Sequence, residues 1–468
     1  MSDGQVENFP ADRPATRPPH VSSETKSYGR GHVLARAPLQ IALVLVVLYA
    51  VGLALSNVAT LIDLQSSRFD GTAEQGEFED YVAFYVAGEF VLEGNGSSIY
   101  DAEVIAEREH EIVGREIGGT GSLAFFNPPF VALMFAPLAL LPLATAGLVL
   151  LLGNLILVIA AGAVLQRQLG ITSWKASAAL WLGVLSFEPA LYVIGQGQLS
   201  MFLVWGFLGF FILQRKDKPA LSGLALALLL VKPQSAILAV LLLAWKRQWR
   251  ALASFSGVAG ALVIASVAVS GPAVLWQYPE FLIESSGWRD GYGVFTQHMY
   301  GWNGFLSTLL AQNSLPYVLT TILLTVASVG SVFFAFRGPW RASSPAFPFA
   351  VGALAVATLL INPHAYLHDV ALIGLALSFA LLGCRDSRKA SSRFFYLGLV
   401  ALGWVLLSQT LWLQYGSNLN LVTPVLGALL IFLVRDSRRS ASTATQQLPN
   451  SPLYAFPEDY RRQSRIAG

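Results

Sequence analysis

The sequence predicts an all-α polytopic membrane protein, a bundle of about 10–13 transmembrane helices with a large extracytoplasmic first loop. Of its 468 residues, 54% are hydrophobic and only 12% are charged, whereas soluble domains carry about 25% charged residues. Apolar runs of nearly the length that crosses a ~30 Å hydrocarbon core as a helix recur between residues 38 and 434. These runs lack the alternation that is typical of transmembrane β-strands, so a β-barrel is excluded.

The charges are sorted along the chain in a way that predicts its orientation. The stretch 61–122 holds 14 of the 28 acidic residues, with three Arg and no Lys. The other polar breaks are short and mostly basic, so the positive-inside rule places them and both termini in the cytoplasm. The acidic loop, and an active site with it, is then extracytoplasmic. The single cysteine, Cys384, precludes an internal disulfide and favours a bacterial plasma membrane.

Three regions are expected along the chain: a disordered cytoplasmic tail (1–37), a transmembrane domain (38–435) that includes the acidic loop, and a second disordered cytoplasmic tail (436–468). The first apolar run is longer than a signal-peptide core, so we expect it to be retained as a span. The segments 124–146 and 219–244 contain internal prolines and do not fit simple crossings. We predict broken or re-entrant hairpins for both, although a short cytoplasmic turn near Leu141 would also explain the first.

Two charged residues, one in the acidic loop and one in an apolar segment, are candidates for chemistry. Asp80 begins the run Asp80–Gly88, in which Asp80, Phe84 and Ala87 would share one helix face. Its alternative role is that of an ordinary N-cap. Lys232 lies inside an apolar segment beside Pro233, where a charge costs about 2.5–3.5 kcal/mol on insertion scales. Its alternative role is that of a snorkelling lysine at the end of a short helix.

The sequence indicates neither a metal nor a cofactor. No His, Cys and carboxylate set has ligand spacing, and the alternating Glu107, Glu109 and Glu111 read better as a solvated face. No glycine-rich phosphate-cradling loop is present, which argues against a nucleotide-sugar donor, and nothing suggests nucleic acid as a partner. The lipid bilayer is the one partner that composition requires.

Six short motifs resemble, in their order, those of glycosyltransferase family 87, the polyprenyl-phosphate-mannose-dependent mannosyltransferases. The resemblance spans roughly residues 40–435. The motifs are Asp80–Gly88 with Ile99-Tyr100-Asp101; Phe126-Asn127-Pro128-Pro129 followed by Pro137–Pro142; Gly195-Gln196-Gly197-Gln198; Lys232-Pro233; Asn303-Gly304; and Pro363–His368. Gln198 replaces the family's Asn, and Ala365 and Tyr366 replace its Ser and Trp.

The resemblance implies a GT-C-type fold and an inverting transfer of a sugar, typically mannose. The donor would be a polyprenyl-phosphate sugar, and the acceptor a hydroxyl of a cell-envelope glycolipid or glycan on the extracytoplasmic face. Asp80 matches the family's catalytic aspartate and would act as the general base, with Glu79 and Asp101 as rivals. His368 would donate to the leaving phosphate or relay a proton, although a helix-end histidine paired with Asp369 is the simpler alternative.

The remaining site residues are predicted to bind substrate. Lys232 or Arg289 would hold the donor phosphate, although Asp290 is an alternative partner for Arg289. The side chains expected to contact sugar or acceptor are Tyr85, Gln196, Gln198, Asn303 and Tyr366. An alternative function is a transporter or flippase of lipid-linked sugars, which would need polar residues along several spans. A structural membrane subunit would not need His, Gln and Asn collected on one face.

Overall fold

The computed structural model describes residues 44–62, 80–114, 122–285, 288, 294–387, 396 and 420–446. Contacts divide the chain into two compact units. Of Met1–Tyr49, the described part is the beginning of the first helix. Ala50–Gly468 contains all of the contacts discussed below.

Every regular element in these residues is an α-helix or a 3₁₀-helix. The α-helices are α1 (Val44–Ile62), α2 (Tyr81–Leu92), α3 (Ala102–Val113), α4 (Pro129–Ala139), α5 (Leu143–Leu169), α6 (Trp174–Leu185), α7 (Glu188–Gln196), α8 (Ser200–Arg215), α9 (Pro219–Leu226), α10 (Ile237–Trp245), α11 (Trp249–Ser270), α12 (Val274–Ser285), α13 (Trp302–Ser307), α14 (Leu315–Ala335), α15 (Ala346–Ile361), α16 (Ala371–Asp386) and α17 (Val422–Gln446). The 3₁₀-helices are Gly96–Ser98, Ala227–Val231, Pro233–Ser235, Thr296–His298 and Leu367–Val370.

Five helical segments among the described residues are long and apolar enough to cross a membrane: α1, α5, α11, α14 and Leu367–Asp386. A sixth span is formed if α6 and α7, which meet at 51°, are taken together. Several shorter apolar helices accompany them. The predicted class, an all-α polytopic membrane protein, is confirmed, whereas the predicted number of spans stays a prediction.

The segment 124–146 forms the short helix α4 and a turn rather than a full crossing. α4 packs against α2, where Gly88 allows close approach because a Cβ there would lie 2.8 Å from the Phe135 carbonyl carbon. The Tyr85 hydroxyl donates to the Leu141 carbonyl at 2.9 Å and so fixes the turn before α5. At 11 residues, α4 is too short to span a hydrocarbon core. α4 therefore lies along α2, and the rest of the segment forms the turn and the beginning of α5.

The segment 219–245 is a broken hairpin, as predicted. α9 and α10 are separated by two 3₁₀-helices that meet at Lys232 and Pro233. Near the start of the segment, the Ala220 carbonyl accepts a hydrogen bond from Ser254 of α11 at 2.6 Å. Its other end, Trp245, directly precedes α11. Both ends of the segment therefore lie beside the beginning of α11, and Lys232 lies at the break between them.

The centre of the fold is α15, which is buried along almost its whole length and packs against α14, α16 and α17. A helix that is hydrophobic all round must be surrounded by protein or lipid. α17 extends to Gln446, past the predicted domain boundary at residue 435. Asp436 is 1% exposed and accepts a hydrogen bond from Tyr396 at 3.1 Å, and Ser437 donates to the Ala335 carbonyl. These contacts hold the extra turns of α17 in the helical bundle.

Candidate functional site

The turn Gly195–Gln198 at the end of α7 organises the site. Gly197 has φ +69°, the left-handed region, and a Cβ there would lie 2.6 Å from Leu150 and 2.8 Å from the Tyr81 Cβ. A residue with a side chain is therefore strained and crowded at this position. Asn154, inside the apolar helix α5, donates to the carbonyls of Val193 and Gln198 at 3.1 and 3.2 Å. This backbone turn directs two glutamine side chains to two different groups of polar residues.

Gln198 binds the carboxylate of Asp80. Its Nε2 donates to Asp80 Oδ2 at 2.6 Å. Asp80 is half-buried directly before α2, and its side chain makes no N-cap hydrogen bond to that helix. The ordinary capping role is therefore not what holds this carboxylate. Its orientation depends instead on a residue 118 positions away in the chain.

Lys232 is the centre of the second group of polar residues. Its Nζ lies 2.6 Å from Asp369 Oδ1, 3.1 Å from His368 Nε2 and 3.4 Å from Ser200 Oγ. Ser200, the first residue of α8, also donates to Asp369 Oδ1, at 2.6 Å. The side chain of Asp369 is fully buried and that of Lys232 is 11% exposed. Burial of such a pair is tolerated because each charge is matched and hydrogen-bonded.

Hydrogen bonding assigns the tautomer of His368. An ammonium group can only donate, so His368 Nε2 must accept from Lys232. The proton of the neutral ring is then on Nδ1, which lies 3.2 Å from Gln196 Oε1. Gln196 thus holds the face of His368 that points away from Lys232. In this arrangement His368 is neutral and presents no proton on its Lys232 side.

The loop before the 3₁₀-helix Leu367–Val370 brings the two groups of polar residues together. Burial raises the pKa of the Tyr366 hydroxyl, the hydrogen bond from the Phe295 amide opposes that rise, and the charges of Asp80 and Asp369 add to it. The Tyr366 phenol is therefore neutral and lies within electrostatic range of both carboxylates. Burial, followed by the charge of Lys232, lowers the pKa of His364, so this imidazole is neutral as well.

Several predicted site residues occupy other places. Tyr85 is only 7% exposed and its hydroxyl holds the α4–α5 turn, while its packing on a sugar ring stays a prediction. Asn303 donates to the Pro363 carbonyl at 2.8 Å and supports the loop that carries Tyr366 and His368. Asp101 is the N-cap of α3 and accepts from the amides of Glu103 and Val104. Arg289, Asp290 and Glu79 lie outside the described residues.

Four residues of this region were missed by sequence reasoning. Ser200 and Asp369 complete the Lys232 cluster, Asn154 holds the Gly195–Gln198 turn, and Asn127 donates to the Val231 carbonyl at 2.7 Å, next to Lys232. Asn154 left a signal, because an amide inside a 27-residue apolar helix needs a partner. Asp369 was weighed only as a partner of His368, since its pairing with Lys232 joins positions 137 residues apart.

Two further properties bear on ligands. In the part of the chain that the structure describes, no group of three or more His, Cys, Asp or Glu side chains is placed to hold a metal ion. A cavity of about 800 Å³ lies between α1, α5, α6 and α7. Apart from Asn57 and Trp181 its lining is aliphatic, and it includes Ile194, two residues before Gln196. Such a lining suits a hydrocarbon chain.

Comparison with known proteins shows the family to which the chain belongs. The chain is similar to a polyprenol-phosphate-mannose-dependent alpha-(1-2)-phosphatidylinositol pentamannoside mannosyltransferase of Mycolicibacterium smegmatis, with 27% identity over 331 residues. The similarity covers 69% of this chain and 75% of that relative. No solved structure matches the chain significantly. The model of glycosyltransferase family 87 matches residues 125–363, which include the Gly195–Gln198 turn and Lys232. This match extends over half of the sequence, and the chain therefore belongs to glycosyltransferase family 87.

Proposed function

We propose that this glycosyltransferase moves mannose from a polyprenyl-phosphate donor to a hydroxyl group of a cell-envelope glycolipid or glycan, with inversion at the anomeric carbon. The proposal rests on one observation. The same turn, Gly195–Gln198, contacts the carboxylate of Asp80 through Gln198 and the buried cluster around Lys232 through Gln196. The name of the mycobacterial relative supports the donor and the lipid-linked acceptor. We call Asp80 and Gln198 the base half, and Lys232, Ser200, His368 and Asp369 the phosphate half.

In the base half, Asp80 takes the proton of the acceptor hydroxyl. The acceptor oxygen forms a bond to the anomeric carbon while the bond from that carbon to the phosphate oxygen breaks. The electron pair of the broken bond stays on phosphate, which changes from a singly charged diester to a monoester with one more negative charge. Phosphate is already a good leaving group, so one positioned base, worth about 10²–10⁴-fold in rate, is sufficient.

In the phosphate half, Lys232 binds the donor phosphate and meets the charge that develops on it. We propose that His368 lies beside the phosphate, as predicted, and acts by accepting a hydrogen bond from Lys232. Preorganised groups of this kind stabilise charge without reorganising during the reaction. Arg289 remains a predicted second partner of the phosphate.

The substrates would bind between and beside the two halves. We propose that Tyr366 contacts the sugar, whereas Gln196 and Gln198, which were predicted to bind it, orient His368 and Asp80. The aliphatic cavity suits the lipid part of a substrate. The sorted charges of the sequence support an extracytoplasmic site, with both termini in the cytoplasm of a bacterial cell.

The test is a sugar-transfer assay with radiolabelled polyprenyl-phosphate-mannose in membranes that contain the protein at matched levels. We expect wild type to label an acceptor and Asp80→Asn to lose about 10²–10⁴-fold in kcat, because the general base is absent. Asp101→Asn is the matched control, since it changes a carboxylate of the same loop that caps α3 and Asn is also a good N-cap. It should retain full activity and folding.

Three outcomes would overturn the proposal. Full activity of Asp80→Asn would show that Asp80 is not the general base. Equal losses in Asp80→Asn and Asp101→Asn would indicate a general effect of charge on the loop. If wild type transfers no mannose while it moves the labelled lipid between leaflets, a flippase replaces the transferase. Product stereochemistry, read by nuclear magnetic resonance, tests inversion separately.

A further inference from the structure

Lys232 has no unused N–H group in the structure. Its three N–H donors face three acceptors, Asp369 Oδ1, His368 Nε2 and Ser200 Oγ, and an ammonium carries three donors. A phosphate that binds Lys232 must therefore take the place of at least one of these partners. Asp369 Oδ1 lies 2.6 Å from Lys232 Nζ. It is the anionic partner, so it is the one that an anionic phosphate would replace.

Charge adds to this competition. Among the described residues that surround the cluster, Lys232 is the cation, Asp369 and Asp80 are the anions, and His368 and His364 are neutral. An anion that approaches Lys232 thus meets a charge that is already balanced by a fully buried carboxylate. Inside a protein, where dielectric screening is weak, this balance strongly reduces the attraction of Lys232 for a further negative charge.

We propose that Asp369 is a positioning residue that competes with phosphate for Lys232 and so lets the doubly charged product leave. The proposal rests on the proposed use of Lys232 for the donor phosphate. When the sugar leaves, the phosphate gains a negative charge, and an unopposed lysine would bind the product more tightly than the donor. Slow product release limits turnover in many enzymes. Asp369 offsets the added attraction by taking Lys232 back as the product departs.

The first experiment uses wild type and compares two inhibitors that differ in charge at the same lipid chain. Polyprenyl phosphate carries up to two negative charges, and its methyl ester carries one. We expect wild type to bind the two with inhibition constants within about three-fold of each other, since the balanced pair gives no advantage to the second charge. A monoester that binds wild type ten-fold more tightly than the methyl ester would overturn the inference.

The second experiment compares variants of the two partners. Asp369→Asn should bind polyprenyl phosphate at least ten-fold more tightly than wild type, with a lower kcat, because the phosphate no longer competes with a carboxylate for Lys232. Lys232→Met should change affinity in the opposite direction, with at least a ten-fold rise in both KM and the product inhibition constant. Asp369→Glu, which keeps the charge, should return the inhibition constant to within about three-fold of wild type.

A purely structural role of Asp369 predicts weaker binding of both inhibitors by Asp369→Asn, which would overturn the inference. Binding is also followed by thermal stabilisation with polyprenyl phosphate, which needs no turnover and detects a destabilised but folded variant. Absence of transfer by wild type, with phosphate binding still sensitive to Lys232→Met, would refute the proposed function. It would leave the competition between Asp369 and phosphate to be judged by these binding data.

Discussion

The base half and the phosphate half are built differently, although one turn serves both. Asp80 is half-buried and depends on a hydrogen bond from a distant glutamine. The phosphate half is a closed network in which Lys232, His368, Ser200 and Asp369 bind each other. A proton acceptor must remain accessible to its substrate, whereas a buried charge needs partners in the empty enzyme. Under the proposed function, the base half would receive substrate as it stands, whereas the phosphate half would have to rearrange.

The largest expected effect comes from Gly197→Ala, which should damage both halves at once. Its φ of +69° and the contacts with Leu150 and Tyr81 oppose a side chain, and the left-handed conformation alone costs about 1–2 kcal/mol. Because Gln196 and Gln198 would both move, we expect kcat/KM to fall by about 10²-fold or more.

The matched control is Gly153→Ala, one residue before Asn154 in α5, where an added Cβ meets nothing within 4 Å. Alanine is the better helix former by about 0.5–1 kcal/mol, so this variant should keep activity and gain slightly in thermal stability. Equal activity of the two alanine variants would contradict the role of the turn.

Gln198→Asn should weaken the base half alone. The shorter amide no longer reaches Asp80 Oδ2, so the carboxylate loses its orientation without losing its charge. We expect about a ten-fold fall in kcat, with KM for the donor unchanged, in steady-state transfer assays. A change in donor KM with kcat intact would instead indicate direct contact of Gln198 with the sugar.

Gln196→Leu should act on the phosphate half alone and more weakly. It leaves the Nδ1–H of His368 without its acceptor, which costs about 1–3 kcal/mol in a buried site. We expect a lower thermal stability and a few-fold rise in donor KM, since His368 still accepts from Lys232. An unchanged KM combined with a large fall in kcat would place Gln196 in the base half.

Tyr85→Phe should have the smallest effect, because Tyr85 belongs to neither half. Loss of its hydrogen bond to the Leu141 carbonyl is expected to cost about 0.5–1.5 kcal/mol of stability. The transfer rate and both KM values should match those of wild type. A clear rise in acceptor KM would restore the predicted role of Tyr85 in sugar binding.

The membrane class, the candidate Lys232 and the breaks in the helices were all determined by local features of the sequence. Composition and the length of the apolar runs determined the membrane class, because water excludes long apolar helices and lipid excludes unpaired backbone. Lys232 stood out since a charge inside an apolar run is costly, and the prolines marked the breaks at α4 and at Lys232. The end of α17 left no local signal, because its polar residues find buried partners only in the folded protein.

Tertiary structure alone decided which side chains meet. Asp80 and Gln198, Lys232 and Asp369, and His368 and Gln196 are each separated by more than 100 positions, and pairs so distant leave no periodic signal. Asp80 stood out as a candidate base and Tyr85 as a candidate sugar contact, but only packing pairs Asp80 with Gln198 and buries Tyr85. The sequence determined the chemical groups and their membrane setting, whereas packing decided their partners, because a hydrogen bond depends on distance in space and not along the chain.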